Sequence, residues 1–129
     1  MKTKSSLRIV CIGALLLSLN ACALFYPTTG QEALVGTWTN AMGTVWIIKA
    51  DGTFIVDLNK DNKVDAWGKY TVAGNTVTMW RTAGVKPKGC GGKAVYTFSR
   101  PSDDTLQFTL VSDKCKLRKK NVLMPWHEK

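Results

Sequence analysis

Short stretches of alternating apolar and polar residues, each closed by turn residues, run from position 34 to position 124 and restrict this chain to a sheet of neighbouring hairpins. Leu106, Phe108 and Leu110 alternate with Thr105, Gln107 and Thr109, the clearest half-buried strand of the set. Ala94, Tyr96 and Phe98 alternate in the same way with Val95, Thr97 and Ser99. Upstream, residues 34–40, 44–49, 54–58, 66–72 and 76–80 are further strand candidates, the second of them rich in the β-branched and aromatic residues that suit a pleated surface. Val122-Leu123-Met124 reads as a last short strand. Ala50-Asp51-Gly52 and Ala73-Gly74-Asn75 are tight turns, Gly52 supplying the positive φ such turns need, and Pro101-Ser102-Asp103-Asp104 is another. Residues 84–92 hold four glycines and a proline and form a loop. No sustained helical spacing of apolar residues occurs beyond the N-terminal segment. About eight short strands joined in chain order predict an all-β fold, a small antiparallel up-and-down β-barrel or, failing that, a small sandwich. A barrel also leaves no open edge strand. By alternation, Phe54, Val56, Tyr70, Val72, Val77, Met79, Tyr96, Phe98, Leu106, Phe108 and Leu110 are expected inside it.

The N-terminus follows different rules. Lys2, Lys4 and Arg8 precede the apolar run Ile9-Val10-Cys11-Ile12-Gly13-Ala14-Leu15-Leu16-Leu17, and Leu19-Asn20-Ala21-Cys22 closes it. Basic, then apolar, then small is the order of a secretory signal peptide, and the run is shorter than the ~20 residues a spanning helix needs. Leu19, Ala21 and Cys22 resemble the lipobox of bacterial lipoproteins, which implies that Cys22 is lipidated and becomes the first mature residue. The expected organisation is a signal peptide over residues 1–21, a lipidated tether over 22–33 and one barrel domain over 34–129. Ala23 stands where Asp would signal inner-membrane retention. The resemblance therefore places the protein, lipid-anchored, in the cell envelope, on the periplasmic face of the outer membrane in a Gram-negative host.

Cleavage leaves 108 residues, enough for one self-sufficient core and too few for two. Three basic residues leave with the signal peptide, so the mature balance is fifteen basic against nine acidic, a net +6. That charge is ordinary for solubility and also suits an anionic envelope component; nucleic acid is not an expected partner of an exported, tethered protein. With Cys11 in the signal run and Cys22 at the lipid site, Cys90 and Cys115 remain as an even pair bound for an oxidising compartment, where a disulfide is expected.

Gly36-x-Trp38 on the first strand resembles the opening motif of the lipocalins. Asp51-Gly52-Thr53-Phe54, Gly68-Lys69-Tyr70 and Gly74-Asn75-Thr76-Val77-Thr78 resemble the successive hairpins of small bacterial lipocalin-like domains, and Cys115-Lys116-Leu117-Arg118 resembles their Cys-x-x-Arg segment. The resemblance, over roughly residues 34–126, implies that Arg118 packs across Trp38 and closes one barrel end by a cation–π contact. The chain departs from a typical lipocalin in being much shorter and in lacking the helix that follows the barrel.

Other constellations are weaker. Asp57-x-Asn59-x-Asp61-x-x-x-Asp65 resembles the start of a calcium loop of the EF-hand or dockerin type, but Gly68 stands where the bidentate acid belongs and Asn62 replaces the turn glycine. An acidic hairpin loop, with no metal, is the expected reading. Lys114, Lys116, Arg118, Lys119 and Lys120 form a basic run that either docks on anionic headgroups or is a solvated loop. His127 is the one histidine, close to the C-terminus, and no nucleophile elbow, zinc-protease or phosphate-loop motif is present. Neither catalysis nor a cofactor is expected. Two roles compete for a monomer held to the membrane through Cys22. One is a carrier of a small apolar or amphipathic ligand, lined by Phe54, Val56, Tyr70, Val72, Met79, Tyr96, Phe98 and Phe108. The other is a filled barrel with an external binding face. A carrier needs a pocket of ~300 Å³, and the shortness of the strands tips the expectation towards a filled barrel.

Overall fold

The computed structural model describes residues 26–129. Cys22 and the signal segment lie outside the described residues. Eight strands follow one another in the order β1 (Gly36–Thr39), β2 (Val45–Ile48), β3 (Thr53–Asp57), β4 (Ala66–Ala73), β5 (Thr76–Gly84), β6 (Ala94–Ser102), β7 (Thr105–Ser112) and β8 (Trp126–Glu128). Each pairs antiparallel with its neighbour in sequence, and β8 pairs back with β1, so the sheet is a closed up-and-down barrel. One short helix, α1 (Lys116–Val122), connects β7 to β8.

The strand directions give the barrel two unlike ends. One end collects the β2–β3, β4–β5 and β6–β7 turns and is stoppered by a 3-10 turn, Gln31–Ala33. Gly30 N–H donates to the Gly74 carbonyl at 2.9 Å, the Gln31 amide donates to the Ala50 carbonyl and the Tyr70 hydroxyl, and Ala33 and Leu34 are fully buried. Trp38 Nε1 donates to the Leu34 carbonyl at 2.9 Å, which pins the stopper to the barrel wall. The other end collects the longer β1–β2, β3–β4 and β5–β6 loops together with α1, and forms the mouth.

Alternation delivers most of the core read from the sequence. Phe54, Tyr70, Val77, Met79, Tyr96, Phe98, Leu106 and Phe108 are buried, with Val56 and Val72 packed against them. An aromatic cluster centres on Trp46, whose ring lies 5.7 Å from Phe54, 5.4 Å from Phe108 and 5.2 Å from Trp126. Gly68 shares the inward face with Tyr70, and a Cβ there would stand 2.1 Å from Phe54 Cζ and 2.6 Å from the Trp80 carbonyl oxygen. The absent side chain is what admits the Phe54 ring. Gly68→Ala should therefore cost about 1–3 kcal/mol in urea unfolding, the range of overpacked cores; a loss below about 0.5 kcal/mol would show that the ring has room to move.

Four sequence expectations are corrected. The last strand is not Val122-Leu123-Met124, which end α1 and the turn after it, but Trp126–Glu128. Pro125 stands between them, compatible with a stop after α1 and unable to continue it. The basic run is accordingly the helix and its approach rather than a loop. Leu110, expected inside, is 41% exposed, because β8 pairs with Thr105 and Leu106 alone and leaves the distal half of β7 with β6 as its one neighbour. Arg118 does not reach Trp38. The guanidinium over that ring, at 4.9 Å, belongs to Arg100 on β6, which also donates to the Ala33 and Thr105 carbonyls at 3.1 Å each. Trp38 packs at the stoppered end, whereas Arg118 rides on α1 at the mouth.

Candidate ligand-binding cavity

α1 is too short to persist alone and is tied down from three sides. Cys90 in the β5–β6 loop is bonded to Cys115, its N-cap, as the even cysteine pair led one to expect. From the β1–β2 loop, Asn40 Nδ2 donates to Asn121 Oδ1 at 2.6 Å, and Asn121 Nδ2 donates to Thr44 Oγ1 at 2.9 Å. Arg118 grips Asp113 with two bonds, Nε to Oδ2 at 2.8 Å and Nη2 to Oδ1 at 2.7 Å. The Tyr96 hydroxyl and the Cys115 N–H also donate to that carboxylate. Burial alone would raise the Asp113 pKa, but these donors together outweigh it and hold the carboxyl below its ordinary range. Tyr96 is pushed well above the usual phenol value, first by burial and then by the anion it bonds.

Under this frame lies a cavity of about 310 Å³, partly open at the mouth. Trp46, Phe54, Met79 and Trp126, all buried, line its inner part. Met42, Leu58, Trp67, Val85 and Leu117 line it too and are 40–60% exposed, so they form an apolar collar. Thr44, Asn121, Arg81 and Arg118 supply its polar edge, and no carboxylate is among the lining residues. Enclosed apolar walls with a few polar groups are what a small-molecule site requires.

Of the expected lining, Phe54, Val56 and Met79 face the cavity. Tyr70, Val72, Tyr96, Phe98 and Phe108 are taken up by the packed core. Trp46 is not anticipated because in β2 the near-continuous apolar run Val45-Trp46-Ile47-Ile48 hides which residues face inward, and Trp126 because the last strand is expected at Val122-Leu123-Met124 instead. Arg81 was also missed. It continues the inward series Val77, Met79, Arg81, a signal present in the sequence once β5 is carried past Trp80.

The lysines Lys114, Lys116 and Lys120 are exposed and Lys119 is half-buried, all on α1 or the approach to it. In the β3–β4 loop, Asp57, Asp61 and Asp65 bring carboxylate oxygens within 4.8 Å of one another. These groups accept loop N–H bonds: Asp65 from Leu58 at 2.7 Å, Asp57 from Asn62 at 2.9 Å and Asp61 from Lys63 at 2.9 Å. The chain matches no family model, no curated protein and no solved structure.

Proposed function

We propose that this chain is a non-catalytic binding protein whose barrel mouth takes one small apolar or amphipathic molecule. The observation that carries the reading is the cavity of about 310 Å³, which reaches the size at which pockets hold ligands and is lined mainly by apolar side chains. It favours the carrier over the filled barrel that strand length suggested. The lipocalin-like motifs are consistent with such a role, and lipidation at Cys22 would hold the barrel close to a membrane surface in the cell envelope.

Ala66 provides the test. It lines the cavity from β4, half-buried and in step with the inward-facing Gly68 and Tyr70. Ala66→Trp would fill the mouth while leaving the core packing beneath it untouched. The neutral fluorescent probe N-phenyl-1-naphthylamine is expected to bind the wild-type chain with enhanced emission. The substitution should weaken that binding by on the order of tenfold or more, about the change expected when a good apolar contact surface is lost. Equal binding to both proteins would place the probe elsewhere, and no binding to either would return the argument to the external face.

A further inference from the structure

Arg81 is a charged side chain on the inward face of a barrel strand, in line with the buried Val77 and Met79. It lines the mouth cavity. Nη1 donates to the Gly84 carbonyl at 3.1 Å, but the Nε–H is buried with no hydrogen-bond partner. Among the described residues the one ion pair is Arg118 with Asp113, so no carboxylate neutralises Arg81. The second cation at the cavity is thus already committed to an acid and the first is not. A guanidinium keeps its charge at any ordinary pH. Leaving one half-buried and unpaired beside apolar walls runs against the rule that buried charges and polar hydrogens find partners. Trp46, which also lines the cavity, has a buried Nε1–H with no partner either.

We propose that Arg81 receives the anionic oxygen headgroup of a chain-bearing amphiphile, a carboxylate in the simplest case, whose apolar body lies against Phe54, Met79 and Trp126. The assignment rests on the cavity reading above and adds the class of ligand to it. The planar fork of a guanidinium matches two anionic oxygens at once, which a neutral headgroup cannot reproduce. A neutral amphiphile of the same chain length would bind through its body and leave Arg81 uncompensated.

Decanoate and decanol share a chain and differ in the headgroup, so competition of each against N-phenyl-1-naphthylamine on the full chain separates the two contributions. In the wild-type protein both should displace the probe. In Arg81→Gln the ratio of decanoate to decanol affinity should fall by about 10–100-fold, the size of a lost charge-assisted bond, almost all of it through decanoate. Arg81→Lys, which keeps the charge and gives up the fork, should lie between the two and serves if the glutamine variant does not fold. A ratio unchanged in both variants overturns the role of Arg81 and leaves the cavity reading standing. Failure of both competitors on the wild-type chain, with no probe bound to displace, removes the cavity reading itself.

Discussion

Arg118→Met is expected to lower the unfolding free energy at neutral pH by about 3–5 kcal/mol, because it strands a charge instead of removing a pair. The Asp113 side chain is fully buried and that of Arg118 is 17% exposed. Without the guanidinium, Asp113 keeps the Tyr96 hydroxyl and the Cys115 N–H but no counter-charge. The pH dependence should change with it. In the wild-type chain the Asp113 carboxyl lies below its unfolded value, so its stabilising contribution is complete above the ordinary carboxylate range and fades as pH falls through the lowered value. In the variant, burial is no longer outweighed and the carboxyl should move upward, so protonation relieves the fold instead of weakening it. The gap between the two proteins should therefore narrow in acid. Urea titrations near neutrality and in mild acid measure both effects. A loss below about 1 kcal/mol at neutral pH would mean that solvent reaches the pair and that α1 is held by the disulfide and Asn121 alone.

Trp126→Ala should be of similar size, about 3–5 kcal/mol, the range for removing a large buried aromatic. β8 is three residues long and meets β7 and β1 over two register pairs each. So few ladder bonds close the barrel weakly, and the side chain must supply the rest. Trp126 is 1% exposed, its ring packs 5.2 Å from Trp46, and its Nε1 donates to the Val122 carbonyl at 3.0 Å, which joins β8 to the end of α1. Because the same ring lines the mouth cavity, the truncation should also enlarge it. Denaturation followed by circular dichroism gives the stability, and retention of N-phenyl-1-naphthylamine binding reports whether the enlarged cavity stays intact. If stability is nearly unchanged, the backbone ladder alone closes the barrel.

The strands were legible because each half-buried strand writes its environment into alternate residues. Tyr96, Phe98, Leu106 and Phe108 name their face without reference to anything distant, and the turn residues between them set the hairpin order, from which an up-and-down barrel follows. Cys90 and Cys115 were legible for a simpler reason, since two cysteines in the barrel domain allow one pairing. Arg81 escaped because a charge on the inward face breaks the binary pattern, and a strand read from apolar alternation stops where the apolar residues stop. α1 escaped because seven residues, mostly basic, are too few to show a helical period; the helix is held by Asp113, the disulfide and Asn121, none of which is local propensity.

The exchange of arginines is the sharpest division. Arg100 and Arg118 are equivalent as residues, and a motif resemblance pointed to the second as the partner of Trp38. Strand direction decides otherwise: β6 carries Arg100 to the stoppered end, beside Trp38 and the Ala33 carbonyl, while β7 runs back and delivers Arg118 to the mouth, beside Asp113. Sequence by itself determined the periodicity, the turns and the cysteine pair, all properties of neighbouring residues or of counting. Which end a side chain reaches, which acid it meets and how much space remains between facing strands depend on closing the sheet on itself. Those belong to the tertiary structure alone, and the cavity with its unpaired Arg81 is among them.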